Sequence, residues 1–231
     1  MAVVFTESIQ ASDTGRTARG CPKGATSLVT STRSYAVDVR GGLTYVFRSP
    51  GGRAFARFGS WNVNGVPTVF AALESVTRCG AAWYRVMVPL KPHGQTGYVR
   101  ARDVRLRPLR ARHVVDLSTR RLTAVDGGGP VLSAKVAIGA RSTPTPTGRF
   151  YVNQRFRDDP RGPYGWAAIG ISAFSEVLHG WPQGGPVAIH GTNRPSLLGL
   201  PVSNGCIRVS NETVKRLWRL APTGTPVQVQ V

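Results

Sequence analysis

Short alternating runs of apolar and polar residues, separated by glycine and proline, constrain the fold of this chain more than any other feature. Alternation with a period of two predicts strands that have one buried face. The helical period of 3.6 residues is absent from the first half of the chain, where this alternation begins at Tyr35. The first half of the chain is therefore predicted to form many short strands, as in a small barrel or sandwich. The predicted strands are 35–39, 43–48, 68–76, 82–88 and 97–100.

The second half of the chain continues the β pattern. A polar, proline-containing segment at 107–112 separates the halves, and three antiparallel strands are predicted over 113–138. Further strands are expected at 149–153 and 186–190, and the alternating tail PVQVQV is expected to be an edge strand. The stretch 154–186 is rich in glycine, proline and aromatic residues, so we expect a long loop there.

One helix is predicted, from Asn211 to Leu220. Ser210 or Asn211 can cap its start, and Pro222 follows its end. Apolar residues recur there with the helical period and form one face: Val214, Leu217, Trp218 and Ala221. The pattern as a whole predicts a mainly β protein with one helix near residue 211.

The charge of the chain narrows its partners. Thirty Lys and Arg against 11 Asp and Glu give a formal net charge of +19. Such a charge favours polyanions, namely nucleic acid, anionic lipid or an acidic cell-wall polymer. The basic residues are scattered and no recognition helix is visible, so we expect no nucleic-acid binding. The four histidines are dispersed and no Cys/His pair has zinc spacing, so no metal site is predicted.

The start of the chain offers no clear export signal. No stretch reaches the ~18 apolar residues of a membrane-spanning helix. The opening MAVVF is too short for the apolar core of a signal peptide. Residues 6–33 are rich in Ser, Thr, Gly and Arg, and 1–33 is predicted to be a disordered leader.

Three cysteines leave at least one thiol free within the chain. Cys21 and Cys79 could form a disulfide in an exported protein, and the sequence leaves this open. Cys206 lies in a turn after His190, and two readings of it are open. It is either a small packed hydrophobe or a nucleophile whose base is the imidazole.

The residues around Cys206 suit thiol chemistry. His190 ends an apolar strand, and Gly191 after it leaves room for a substrate. In Asn204-Gly205-Cys206 the glycine lets successive N–H groups converge on one oxygen as an oxyanion hole. Arg208 can hold a carboxylate by forked hydrogen bonds.

Two motifs carry a resemblance to a known family. His190-Gly191-Thr192, followed after some ten residues by the run Ser203–Arg208 (SNGCIR), resembles the signature of L,D-transpeptidases with a YkuD-type catalytic domain. The stretch 143–150 (TPTPTGRF) is similar to the family's Thr-Pro-x-Gly loop. The resemblance covers about 110–231 and implies a β-sandwich-like catalytic domain, with one helix after the catalytic cysteine.

The resemblance implies peptidoglycan cross-linking. The cysteine attacks the bond after the third residue of a tetrapeptide stem, D-alanine leaves, and a thioester remains. The amine of an acceptor stem, commonly on diaminopimelate, resolves it into a 3→3 cross-link. No metal or organic cofactor is implied, and β-lactams of the carbapenem class are expected to acylate the thiol. The implied protein is an exported monomer of the cell envelope.

The resemblance also implies roles for individual residues. Cys206 is the nucleophile, His190 the base, and the Gly191 carbonyl orients the imidazole. The backbone amides of 204–206 form the oxyanion hole. The implied substrate-binding residues are Arg208, Ser203, Thr192, Tyr164 and Trp166. Ser203 could instead hold the turn. His179 and Trp181 lie in the same long loop as Tyr164 and Trp166.

One departure from the family pattern keeps alternatives open. Asn204 stands where the family usually has histidine, which reduces the scope for tuning the thiol pKa. A catalytically impaired wall-binding protein is therefore one alternative. An L,D-carboxypeptidase, which uses water as the acceptor, is another.

The first half of the chain carries a second resemblance. The Trp-Tyr-x-Val strand in 83–106, followed by Gly-Tyr-Val, looks like a bacterial Src-homology-type barrel. Such barrels bind wall peptides or pack on a catalytic domain, and Trp83, Tyr84 and Tyr98 could serve either purpose. The predicted organisation is a leader at 1–33, a barrel at 34–108 and a catalytic domain at 109–231.

Overall fold

The computed structural model describes residues 3–4, 23–178, 180, 182 and 185–231. Among these residues the strands form one nine-stranded sheet, one eight-stranded sheet and one two-stranded sheet. A single α-helix accompanies them, so the mainly β prediction is confirmed. Within the same ranges no helix has the length and hydropathy that a membrane crossing requires.

The first sheet is antiparallel throughout. Its order is β1-β5-β4-β8-β7-β6-β3-β9, and β2 pairs with the far end of β6. Its interior contains aromatic and branched side chains such as Phe70, Phe58 and Val86. Its strands are β1 (Val3–Val4), β2 (Lys23–Ser27), β3 (Ser34–Val39), β4 (Leu43–Phe47), β5 (Ala54–Gly59), β6 (Val69–Arg78), β7 (Ala81–Met87), β8 (Thr96–Arg100) and β9 (Val104–Leu109).

The structure of the first half bears on the predicted leader, on the cysteines and on the predicted barrel. Lys23–Ser27 form β2, so a disordered leader reaching residue 33 is wrong for this segment, because backbone pairing with β6 orders it. Residues 28–33 are described as well, and the Leu28 amide donates to the Leu73 carbonyl at 2.9 Å. Apart from β1, residues 1–22, which include Cys21, lie outside the described residues. Cys79 is disulfide-bonded, but the pairing with Cys21, which the sequence left open, involves a residue outside the described ranges. The Src-homology-type barrel stays a prediction, since the described pairings form a path with two ends.

The second sheet carries the long strands of the second half. Its order is β12-β11-β10-β19-β14-β15-β16-β18, and β13 and β17 pair separately. Helix α1 (Asn211–Leu220) buries Val214 and Leu217 against this core, and Ser210 caps it by accepting from the Thr213 amide. The strands are β10 (Ala111–Asp116), β11 (Arg121–Asp126), β12 (Gly129–Lys135), β13 (Ile138–Gly139), β14 (Gly148–Arg157), β15 (Ala167–Phe174), β16 (Pro186–His190), β17 (Pro201–Ser203), β18 (Ile207–Arg208) and β19 (Pro226–Gln230).

Two expectations for this sheet are wrong. The tail strand β19 is not an edge, because it lies between β10 and β14 and is parallel to β10. Alternation shows one buried face but cannot show how many neighbours a strand has. The predicted long loop at 154–186 contains β15, whose residues are buried on both faces and therefore do not alternate.

Polar contacts join the two sheets. Arg107 of β9 holds Asp38 of β3 in a fork, with Nε–Oδ2 3.0 Å and Nη2–Oδ1 2.9 Å. The same guanidinium donates to the carbonyl of Thr223, 3.1 Å away, just before β19. No strand pairing among the described residues crosses from one sheet to the other, and the change falls between Leu109 and Ala111.

Candidate active site

Two strand ends of the second sheet meet at a cavity that holds a histidine and a free thiol. β16 and β18 pair in parallel, with His190 opposite Arg208. Cys206 therefore lies beside Ala188, whose backbone N–H donates a hydrogen bond to the sulfur. His190, Cys206 and Arg208 all line one cavity of about 190 Å³. The parallel register thus brings the ends of β16 and β18 together at one cavity.

The imidazole of His190 is held in one orientation. The residue is only 3% exposed, and its Nδ1 lies 2.6 Å from the carbonyl oxygen of Gly191. A carbonyl can only accept, so Nδ1 carries the proton and Nε2 is left as the basic nitrogen. This is the contact that the resemblance implies for Gly191. The ring of Tyr164 packs on the imidazole edge to face, with centroids 5.0 Å apart.

The environment keeps the imidazole neutral. Burial lowers the pKa of His190 from its usual 6.5 to about 4. Hydrogen bonds to the Gly191 and Tyr164 carbonyls raise this pKa, and the charge of Arg208 lowers it. Burial has the larger effect because it removes the water that would solvate the cation. At neutral pH, Nε2 is therefore free to accept a proton.

Burial also keeps the thiol protonated. It raises the pKa of Cys206 above the usual 9.0, while the Ala188 hydrogen bond and the charge of Arg208 act in the opposite direction. A raised thiol pKa and a lowered imidazole pKa make the neutral pair the resting form. In this form the sulfur keeps its proton, and Nε2 of His190 is able to accept one.

The turn that precedes the cysteine is stabilised by Ser203. This buried hydroxyl donates to the Cys206 carbonyl at 2.5 Å, and it accepts from the Gly205 amide at 3.2 Å. Gly205 has a φ of +107°, a conformation that L-residues rarely adopt. The amides of Asn204 and Cys206 donate to no partner within the described part of the chain.

These contacts revise the predicted oxyanion hole. The N–H of Gly205 is committed to Ser203 and therefore does not contribute a donor in this conformation. The two amides on either side of it are the remaining candidates.

Arg208 supplies positive charge at the cavity wall. Its Nε is buried and has no hydrogen-bond partner among the described residues. A buried guanidinium N–H without a partner is costly, so an incoming anion or carbonyl would find a ready donor there.

Comparison with known proteins decides the family. Residues 110–229 match the family model of the YkuD L,D-transpeptidase catalytic domain. This chain belongs to the YkuD family. The matched residues begin where the second sheet begins and include β19.

Relatives of this YkuD-family chain carry matching descriptions. The putative L,D-transpeptidase YkuD of Bacillus subtilis (strain 168) is 40% identical over 96 residues, which are 41% of this chain and 50% of that protein. The putative L,D-transpeptidase YkuD of Bacillus licheniformis is 35% identical over 120 residues, 51% of this chain and 64% of that protein. The chain thus spans between half and two thirds of these curated relatives. A solved Enterococcus faecium L,D-transpeptidase is 25% identical, with a TM-score of 0.41, and the match covers 52% of this chain and 49% of that one.

Not every predicted site residue reaches the cavity of this YkuD domain. Tyr164 lines it and is 43% exposed. Thr192 is buried, and its hydroxyl accepts from the Arg194 amide at 3.0 Å. Trp166 packs on Trp218, with ring centroids 5.8 Å apart. Thr192 and Trp166 therefore support the surrounding structure, while Ser203 holds the turn.

Some residues that support or line the YkuD site were not predicted from the sequence to be site residues. Asn211, considered only as a helix cap, accepts from the Trp166 amide at 3.0 Å and donates to the Pro160 carbonyl at 3.1 Å. It thereby fixes the segment that presents Tyr164. Thr143 donates to the Ser203 carbonyl at 2.9 Å and supports the catalytic turn from the Thr-Pro loop. Four more wall residues lie in the glycine- and proline-rich stretches: Pro163, Leu178, Gly185 and Pro186.

Other predictions for the YkuD site concern metals and two residues of the long loop. Within the described ranges no group of three or more His, Cys, Asp or Glu could hold a metal ion. His179 and Trp181 lie outside the described residues.

Proposed function

We propose that this protein is a peptidoglycan L,D-transpeptidase that works through a thioester on Cys206. The proposal depends chiefly on one observation: a free thiol and a neutral imidazole with its Nδ1 fixed by a carbonyl line the same small cavity. Family membership supports the reaction class.

In the first half-reaction Cys206 attacks the carbonyl carbon of the third residue in a donor tetrapeptide stem. Nε2 of His190 takes the thiol proton as the C–S bond forms. The oxyanion accepts hydrogen bonds from the amides of Asn204 and Cys206; each such donor typically contributes about 3 kcal/mol to the transition state. The C–N bond then breaks, and D-alanine leaves with the proton that His190 returns.

In the second half-reaction an amine of an acceptor stem, of the diaminopimelate type, attacks the thioester carbon. His190 accepts the amine proton, the C–S bond breaks, and the thiolate is reprotonated. The product is a 3→3 cross-link. Arg208 supports this scheme because its unpartnered Nε can bind a stem carboxylate beside the reacting bond. No step requires a metal or an organic cofactor.

The proposed location is the cell envelope, after export. The net charge of +19 supports this, since wall polymers are acidic. A β-lactam of the carbapenem class presents a strained carbonyl to the same thiol and is therefore expected to acylate it.

Intact mass spectrometry after incubation with a carbapenem tests the nucleophile. We expect one adduct on the wild-type protein and none on Cys206→Ala. Equal adducts on both proteins, or none on either, would contradict the proposal.

Incubation with a purified disaccharide-tetrapeptide tests the reaction. A cross-linked dimer with released D-alanine supports transpeptidation. A disaccharide-tripeptide alone would show that water is the acceptor, and an unchanged substrate would show a wall-binding protein without activity.

A further inference from the structure

A second, larger cavity lies between the two sheets. Its volume is about 560 Å³, which is within the usual range for small-molecule sites. One wall comes from the turn after β5, including Trp61, Asn62 and Asn64. The opposite wall comes from β14 and β16, including Gln154 and Pro186. None of the roles assigned above uses this cavity.

The larger cavity adjoins the active site. Pro186 lines both cavities. Gly170 of β15 lies opposite Gln154 on one side and opposite Ala188 on the other, so these three residues share one face of the sheet. Ala188 contacts the thiol of Cys206. Two strand spacings, about 10 Å, therefore separate Gln154 from the catalytic strand.

Gly170 keeps this face open. A Cβ at this position would lie 2.5 Å from Cγ of Gln154 and 3.1 Å from Oδ1 of Asn153. The absence of a side chain therefore lets both amides extend over the middle strand, between the larger cavity and the active site.

Apart from Lys91, the polar side chains of the cavity are neutral amides and a hydroxyl. Nδ2 of Asn62 and Nδ2 of Asn64 both donate to Oε1 of Gln154, at 3.3 Å and 2.8 Å. Oδ1 of Asn153 and Oγ1 of Thr68 are buried and have no partner among the described residues. These groups suit an uncharged ligand that offers hydroxyl and amide groups.

The charges of the residues that line the larger cavity also favour an uncharged ligand. Among the described residues that line the cavity there is no Asp or Glu, and Lys91 is the one cation. Its ammonium donates to the Ser175 carbonyl at 3.4 Å and lies 5.8 Å from the ring centroid of Phe174. The Lys91 ammonium therefore already has partners, whereas Nε of Arg208 at the active site has none among the described residues.

The rim of the cavity is an exposed aromatic ring. Trp61 is 64% exposed and Val63 is 53% exposed. Asn62 orders their turn, because its Oδ1 accepts from the amides of Asn64 and Val66 at 2.8 Å and 3.3 Å. A large exposed indole beside amides combines an apolar face with hydrogen-bonding groups.

We infer that this cavity binds an N-acetylated sugar of the glycan strand to which the stem peptide is attached. The indole packs on the apolar face of the pyranose, and the amides bind its acetamido and hydroxyl groups. The inference rests on the proposed function for the identity of the polymer. It explains why a cavity lined mainly by amide and apolar groups lies beside the site of the proposed thiol chemistry.

Binding of N,N′-diacetylchitobiose to Cys206→Ala protein, followed by saturation-transfer NMR and titration, tests the site without turnover. Adding Trp61→Ala should weaken binding about tenfold, the size of one lost aromatic contact. Adding Trp61→Phe should restore most of it. Tyr45→Ala is the matched control, since Tyr45 is 37% exposed in the same sheet and lies outside the cavity lining. The inference would be overturned if the Cys206→Ala protein did not bind N,N′-diacetylchitobiose. It would also be overturned if adding Trp61→Ala left the affinity unchanged.

Kinetics separate a sugar site from a peptide site. In otherwise wild-type protein, Trp61→Ala should raise KM about tenfold for a disaccharide-tetrapeptide and leave KM for the free tetrapeptide unchanged. An equal rise for both substrates would make the cavity a peptide site and refute the inference. If neither substrate turns over, the proposed function fails, and the chitobiose titration still decides the sugar site.

Discussion

The pH dependence of acylation distinguishes a neutral catalytic pair from a resting ion pair. Burial lowers the pKa of His190 to about 4 and raises that of Cys206, so acylation should require only that the imidazole stay neutral. At pH 5 an imidazole with the usual pKa would be about 3% neutral, whereas one with a pKa near 4 is about 90% neutral. The structure therefore predicts a rate at pH 5 close to that at pH 7. An unshifted histidine would instead lose about 25-fold between pH 7 and pH 5.

The assay is the rate of adduct formation with a carbapenem between pH 4.5 and pH 8, read by intact mass after rapid quenching. Cys206→Ala provides the blank, and circular dichroism at each pH verifies that the protein is folded. That control matters because His113 is also buried, and burial lowers its pKa to about 4. A rate that falls with a midpoint near pH 6.5 would refute the neutral-pair reasoning, as would a bell-shaped profile centred near neutrality.

Three further predictions follow from individual contacts. Because the pKa of His113 is lower in the folded protein than in the unfolded chain, this residue costs stability as the pH falls. His113→Leu should therefore reduce the loss of unfolding free energy between pH 7 and pH 5 by about 2 kcal/mol, measured by urea titration. An unchanged pH dependence of stability would contradict this. Ser203→Ala should lower kcat at least tenfold with little loss of Tm, since it frees the Gly205 amide and loosens the catalytic turn; a wild-type kcat would show that the turn holds itself. Asn211→Ala should raise KM severalfold by releasing the segment that carries Tyr164, whereas a loss of Tm alone would limit the residue to a structural role.

The proposed catalytic pair, His190 and Cys206, was predictable because both residues lie in one short segment of the sequence. His190 ends a recognisable strand, and Cys206 follows a glycine turn, so a short segment carries most of the chemistry. The helix was equally visible, since its apolar face repeats with the helical period. Local patterns of this kind do not depend on the rest of the fold.

Other features depend on long-range pairing and could not be read locally. Gln154 meets Asn62 and Asn64 only because two sheets pack together. β15 has no alternation because both of its faces are buried. The commitment of the Gly205 amide to Ser203 depends on a backbone angle that the sequence permits but does not specify. Thr192 belongs to the motif and Trp166 lies in the long stretch before it, but their side chains contact structural neighbours.

The insertion of β19 between β10 and β14 has a consequence for biosynthesis. The ribosome makes Pro226–Gln230 after every other strand of this sheet, yet those five residues separate its two halves. Until they emerge, β10 and β14 each expose an unpaired backbone edge, which is a hazard for misassembly. A chain cut before residue 226 should therefore leave the histidine and the cysteine on a half-sheet that has lost its middle.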